Sequence, residues 1–203
     1  MRLITALVFC ITAVSAAPSA DITPRLIGGT PVHINQWPQM ANVLFTWDLT
    51  TFEQYCAGTI LNHQTVLTAA HCISFHPYSR FRLRIASALA SSGGSSLNVV
   101  DLIPHPFYNP QTEDHDFGLI RTATYMNYTT QIQPAPIADN NYTLDDNAIV
   151  KAIGWGASTF SGPRSEQLRE VQLFIINQEI FGGMYCEHLR ARRDVFQVHL
   201  FKP

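Results

Sequence analysis

Between residues 37 and 121 the chain runs as six short β-type stretches, each closed by a turn. They are Met40 to Trp47, Gly58 to Leu61, Thr65 to Thr68, Phe81 to Ile85, Leu97 to Ile103 and Phe117 to Arg121. Stretches this short, with turns between them and no helical runs interleaved, exclude a parallel sheet built on crossover helices. They leave an all-β barrel or sandwich. Two further runs, Ala148 to Ile153 and Arg169 to Ile176, have the same character, and the polar, proline-bearing segment 122–146 between the two groups reads as a crossing. Asn177 to Leu189 admits a short helix capped by Asn177, weakened by Gly182-Gly183. No internal repeat is apparent.

The composition fits a folded chain with a core of its own. Hydrophobic residues make up 46% and charged residues 14% of the 203, with a formal net charge of -2. So balanced a charge gives no electrostatic ground for nucleic acid or an anionic membrane as partner.

The first residues read as an export signal. Arg2 supplies a positive start, Leu3 to Val14 is apolar, and Val14-Ser15-Ala16 offers small residues for cleavage. The apolar run is too short to span a bilayer. Residues 1–16 are thus expected to be a signal peptide and the product to be secreted and extracellular. Export leaves three cysteines, Cys56, Cys72 and Cys186, an odd number that predicts one disulfide and one unpaired thiol. Two sequons, at Asn127 and Asn141, are candidate glycosylation sites in a secreted chain.

Chemistry concentrates in two motifs. Leu67-Thr68-Ala69-Ala70-His71-Cys72 places a histidine beside a cysteine, and Asp114-His115-Asp116-Phe117-Gly118-Leu119-Ile120 places carboxylates before an apolar run. A hydroxyl nucleophile needs a base, and the base needs a third group that fixes its tautomer. Histidine and aspartate suit those two tasks. His71 precedes Asp116 by the spacing of about 45 residues that separates base and orienter in a Ser-His-Asp triad. A metal site at Asp114, His115 and Asp116 is disfavoured, because adjacent residues rarely converge on one ion.

With these motifs the chain resembles the trypsin-like, chymotrypsin-fold serine protease family, and is similar to secreted insect digestive trypsins and chymotrypsins. The resemblance covers roughly residues 26 to 189. Arg25-Leu26-Ile27-Gly28-Gly29 resembles the family's activation site, Gly154-Trp155-Gly156 its opening of the second barrel, and His105-Pro106-Phe107-Tyr108 a loop before the catalytic aspartate. The resemblance implies an all-β double barrel, with residues 17–25 as activation propeptide and 26–203 as the peptidase domain. The N-terminal barrel would span about 26–121, the crossing 122–146 and a partial C-terminal barrel 147–203. It implies His71 as general base and Asp116, rather than Asp114, as its orienter. It also implies a Cys56–Cys72 disulfide with Cys186 unpaired, and cleavage between Arg25 and Leu26 by a trypsin-like protease. Protein or peptide substrates, a monomer, and no metal or cofactor follow as well. The other histidines (33, 63, 76, 188 and 199) are expected at the surface.

The nucleophile is the missing part. In the triad the serine follows the aspartate by about 93 residues, which from Asp116 falls beyond Pro203. No Gly-Asp-Ser-Gly-Gly occurs in the sequence. Ser91 to Ser96 forms a flexible serine-glycine loop by composition but lies between His71 and Asp116 and lacks the Gly-Asp pair. The second barrel is therefore expected to be incomplete, through truncation, alternative splicing or a misplaced gene end. The polypeptide reads as a zymogen by family that is inactive as it stands. The alternatives are a non-catalytic homologue acting as a protein-binding decoy or cofactor, or a fragment without function.

Overall fold

The computed structural model describes residues 29–139, 142–143, 145–157, 162–175 and, as backbone, 199–201. The signal and propeptide segments, Arg25, Leu26, Asn141, Cys186 and the helix expected after Asn177 lie outside the described residues.

Six strands close into an antiparallel barrel. They are β2 (Met40–Phe45), β3 (Glu53–Asn62), β4 (Thr65–Thr68), β5 (Phe81–Ile85), β6 (Ser95–Pro104) and β7 (Gly118–Thr122). The order around the barrel is β2-β3-β4-β7-β6-β5, with β2 pairing back onto β5. The six runs anticipated from sequence are these six strands. The second begins earlier than Gly58, because Glu53 to Ala57 extend along β2 across a bulge at Val43/Leu44.

Strand β2 shows how the sequence builds two cores at once. Alternate residues of a strand face opposite sides. Ala41, Val43 and Phe45 enter the barrel core with Ile60, Val66, Leu83, Ile85 and Ile120. Met40 instead joins Val32, Ile34, Trp37, Ile153, Trp155 and Leu168 in a second cluster between the barrel and the remaining strands. That is why every residue of β2 is buried.

The second unit is an open sheet, β1-β9-β8-β10, formed by β1 (Thr30–Pro31), β8 (Ile149–Gly154), β9 (Arg169–Phe174) and β10 (His199–Phe201). Strands β8 and β9 are the two runs anticipated from sequence. The two-residue β1 and three-residue β10 are too short to carry a periodic signal. Among the described residues the double barrel is thus closed in its first half and open in its second.

The structure adds to one expectation and corrects another. The crossing is more than a connector: Met126 and Ile132 are buried in the first barrel's core, and Ala135 N–H donates to the Ile60 carbonyl at 2.8 Å. The serine-glycine loop is also tied down. Arg84 donates to the Gly93 carbonyl at 2.6 Å, Ser87 Oγ donates to the Ser92 carbonyl at 2.7 Å, and Ser95 and Ser96 already belong to β6.

Candidate active site

His71 and Asp116 meet at the same end of two neighbouring antiparallel strands. Strand β4 runs antiparallel to β7, pairing Thr68 with Gly118. His71 follows β4 on a single helical turn, α1 (Ala70–Ile73), and Asp116 precedes β7. Small residues make the turn possible. Thr68 Oγ1 donates to the Ala57 carbonyl at 2.9 Å and holds the end of β4 against β3. Ala69 and Ala70 are then buried where larger side chains would meet the core. Gly118 is required for contact rather than conformation: a Cβ there would lie 2.7 Å from Ile73 Cδ1 and 3.0 Å from the Ile103 carbonyl oxygen.

The carboxylate grips the histidine twice. His71 Nδ1 lies 2.7 Å from Asp116 Oδ2, and the His71 backbone N–H donates to Oδ1 at 2.8 Å. With both oxygens engaged, Nδ1 is the protonated nitrogen of neutral His71 and the basic lone pair sits on Nε2. Burial pushes the Asp116 carboxyl up. The hydrogen bonds from the His71 ring and backbone, the attraction of His71 and a bond from the Ala70 backbone outweigh it, so the carboxyl stays below its ordinary value. Asp116 therefore remains an anion at neutral pH, able to orient the ring and to stabilise an imidazolium.

Asp114 has a different task. Its Oδ2 accepts the Thr112 hydroxyl at 2.7 Å, and its carbonyl accepts the Asn109 N–H at 3.0 Å, within a tight loop. That loop contains two left-handed residues, Glu113 at φ 60° and His115 at φ 56°. Neither is a glycine, so each carries local strain held by the surrounding bonds. The His115 ring stacks on His105 at 4.8 Å with an interplanar angle of 4°. This links the His-Pro-Phe-Tyr segment to the residue beside Asp116, a contact that sequence spacing does not reveal.

Cys56 and Cys72 form a disulfide with Cα atoms 6.4 Å apart, bridging β3 to α1 next to His71. Closing a loop of this size contributes on the order of 3 kcal/mol. Ring nitrogen and sulfur atoms of His71, Cys56 and Cys72 lie within 4.8 Å of one another. As a disulfide the sulfurs offer no thiolate to a metal.

The remaining predicted residues are scattered. Asn127 is exposed in the crossing. Ser91 Oγ donates to Glu166 Oε1 at 2.7 Å, which binds that loop to the second unit. Of the histidines expected at the surface, His33 is exposed and accepts a bond from the Asn35 N–H. His63 and His76 are half-buried instead. His63 stacks on Tyr128, and His76 packs on Phe45 and Trp47. Aromatic neighbours distant in sequence draw both rings inward.

Comparison with known proteins places this arrangement. A family model described as trypsin matches residues 26–193. Trypsin CFT-1 of Choristoneura fumiferana is 42% identical over 188 residues, covering 92% of this chain and 73% of its own. Trypsin, alkaline C of Manduca sexta is 44% identical over 195 residues, covering 96% of this chain and 75% of its own. Among solved structures, the scabies mite inactivated protease paralogue S-D1 superposes with a TM-score of 0.70 at 21% identity. It covers 80% of this chain and 70% of that one, a likeness of fold. No described helix is long and apolar enough to cross a membrane.

Proposed function

This chain belongs to the trypsin family of serine proteases, and on that premise we propose that it is the zymogen of a secreted endopeptidase acting on protein substrates. His71 is the general base and Asp116 its orienter. The observation that carries the reading is the double grip of Asp116 on the His71 ring and backbone, at 2.7 and 2.8 Å. It fixes the tautomer that presents Nε2 to a hydroxyl and keeps a negative charge beside the imidazolium formed when that hydroxyl gives up its proton. Cleavage between Arg25 and Leu26 by a trypsin-like protease would generate the mature start.

Residues 1–203 hold this base and orienter without a Gly-Asp-Ser-Gly-Gly segment. We therefore propose that these residues by themselves do not turn over peptide, since nucleophile and oxyanion donors must act together with the base. Expression of residues 17–203, nicking after Arg25 and exposure to a fluorophosphonate probe is expected to give no labelling. Labelling at any serine would overturn the proposal of inactivity. Sequencing the transcript past the codons for Arg190 addresses the enzyme reading: a frame encoding Gly-Asp-Ser-Gly-Gly supports it. The second reading is a non-catalytic homologue that binds proteins as a decoy or cofactor. A stop codon directly after that for Pro203 supports the second reading over the first.

A further inference from the structure

The crossing that leaves the first barrel carries a feature unconnected with His71. Met126 is buried in the barrel core, while its neighbours Tyr125 and Asn127 are exposed. The segment is held by reciprocal contacts: Met126 N–H donates to the His63 carbonyl at 2.7 Å, and the Met126 carbonyl lies 2.9 Å from His63 Nδ1. On the other side Thr129 and Ile132 exchange backbone bonds at 2.9 and 3.3 Å, with Ile132 buried. Asn127 is thus displayed between two anchored points. Beside it stand three rings. Tyr128 stacks on His63 at 3.9 Å and 16°, and Tyr125 lies 5.4 Å from His63 at 32°. Tyr125 is 65% exposed, a large apolar ring with no place in either core.

We propose that Asn127 is an occupied N-glycosylation site and that the Tyr125–His63–Tyr128 rings seat the first sugar of its glycan. Two facts on one short segment point the same way. Asn127-Tyr128-Thr129 is an acceptor triplet with an exposed asparagine and an exposed threonine. Tyr125, two residues before it, is exposed as Asn127 is, with the buried Met126 between them. A pyranose presents a face of C–H groups that an aromatic ring covers as it covers any apolar surface. In the transfer, Asn127 Nδ2 forms a C–N bond to the anomeric carbon of a polyprenyl-diphosphate oligosaccharide. The anomeric C–O bond breaks, the polyprenyl diphosphate departs with the electron pair, and one amide proton goes to a base.

The proposal rests on the secretion reading, and the test separates the two. The full chain, carrying Asn141→Gln, is expressed in insect cells with its own residues 1–16 and, in parallel, with a foreign signal peptide. Both products are treated with peptide N-glycosidase in ¹⁸O-water. Medium and cell extracts are scored alike, since transfer precedes release. The expected result is an ¹⁸O-labelled aspartate at position 127 in most molecules of both. Labelling with the foreign signal alone sinks the secretion reading and leaves the site standing; no labelling with either overturns the site. The seat is read on the glycosylated product by proton NMR. The N-acetyl protons of the first sugar should be shifted upfield by the rings and should lose that shift in Tyr125→Ala. Melting temperature should fall by about 2–4 °C when the glycan is removed, and by much less in Tyr125→Ala. Sugar signals identical in Tyr125→Ala and the parent overturn the seat.

Discussion

The strands of the first unit return to their starting partner, β5 meeting β2, whereas the described strands of the second end in the open order β1-β9-β8-β10. The closed unit has no unpaired edge and encloses its own core. The open one shares its core with the outside of the barrel: Trp155 and Leu168 pack with Met40 and Trp37. The proposed base and orienter draw only on the closed unit. Both His71 and Asp116 are set by β3, β4, β7 and α1. The pairing of His71 with Asp116 is thus a property of one barrel, and the open sheet depends on that barrel for its burial.

The sharpest way to break this contrast is at the shared cluster. Trp155 is 1% exposed, and its Nε1 donates to the Ala88 carbonyl at 2.9 Å. Trp155→Ala is expected to cost about 3–5 kcal/mol. Hydrogen exchange should show amides of β8 and β9 losing protection first, with those of β3, β4 and β7 following only at higher denaturant. Simultaneous loss in both units would mean that the barrel cannot stand without the sheet.

Removing the disulfide strikes the other side of the comparison. Cys56→Ala with Cys72→Ala is expected to destabilise by about 3 kcal/mol. The loss should appear as faster exchange at α1 and the end of β3, with β8 and β9 little changed. Urea melts of the parent and double variant, each followed by barrel and sheet amides, distinguish this from a uniform loss.

Much of the closed unit is legible in the sequence, because its strands are short β-type runs bounded by turns and its motifs sit at strand ends. Val66 and Ile120 announce β4 and β7, and His71 and Asp116 closely follow and precede those strands. The less legible parts depend on contacts between distant residues. Residues 30–31 and 199–201 are strands only because β9 and β8 offer them partners. Met126 and Ile132 sit in a polar stretch whose burial is decided by the barrel it crosses. The second grip of Asp116, on a backbone N–H, leaves no mark on side-chain identity. The strained His115 beside it is hidden for the same reason, since a left-handed histidine looks like any other in sequence.

Thr68 offers a smaller and more local effect. Its hydroxyl donates to the Ala57 carbonyl inside the barrel. Thr68→Val keeps the shape and removes the donor, for an expected cost of about 1 kcal/mol. The readout is the disulfide-intact melting temperature together with the amide chemical shifts of Ala57 and His71. Shifts at Ala57 without any at His71 would show that the end of β4 tolerates slack without moving the base.

The finest test concerns the charge that the barrel holds beside His71. Asp116 titrates below its ordinary 3.8 in the folded chain, since its bonds to His71 outweigh its burial. The sign follows from that depression. Above 3.8 the carboxylate is ionised in folded and unfolded chains alike, and its full contribution is present. As pH falls through 3.8 the unfolded chain takes a proton first, and the contribution drains away until the folded carboxyl protonates as well. Asp116→Asn retains an acceptor for the His71 backbone N–H and lacks the charge. The gap in melting temperature between parent and variant should be modest near about pH 6 and shrink towards about pH 3. A gap that stays constant over that range would mean that shape, not charge, is what the barrel uses. At about pH 8, where an imidazole is neutral, the ¹⁵N shifts of the His71 ring test the role of the same charge. The parent should hold the proton on Nδ1, and the variant should move population to the other tautomer. Because every group involved lies on the closed unit, Trp155→Ala should leave those ring shifts unchanged under conditions where the barrel remains folded.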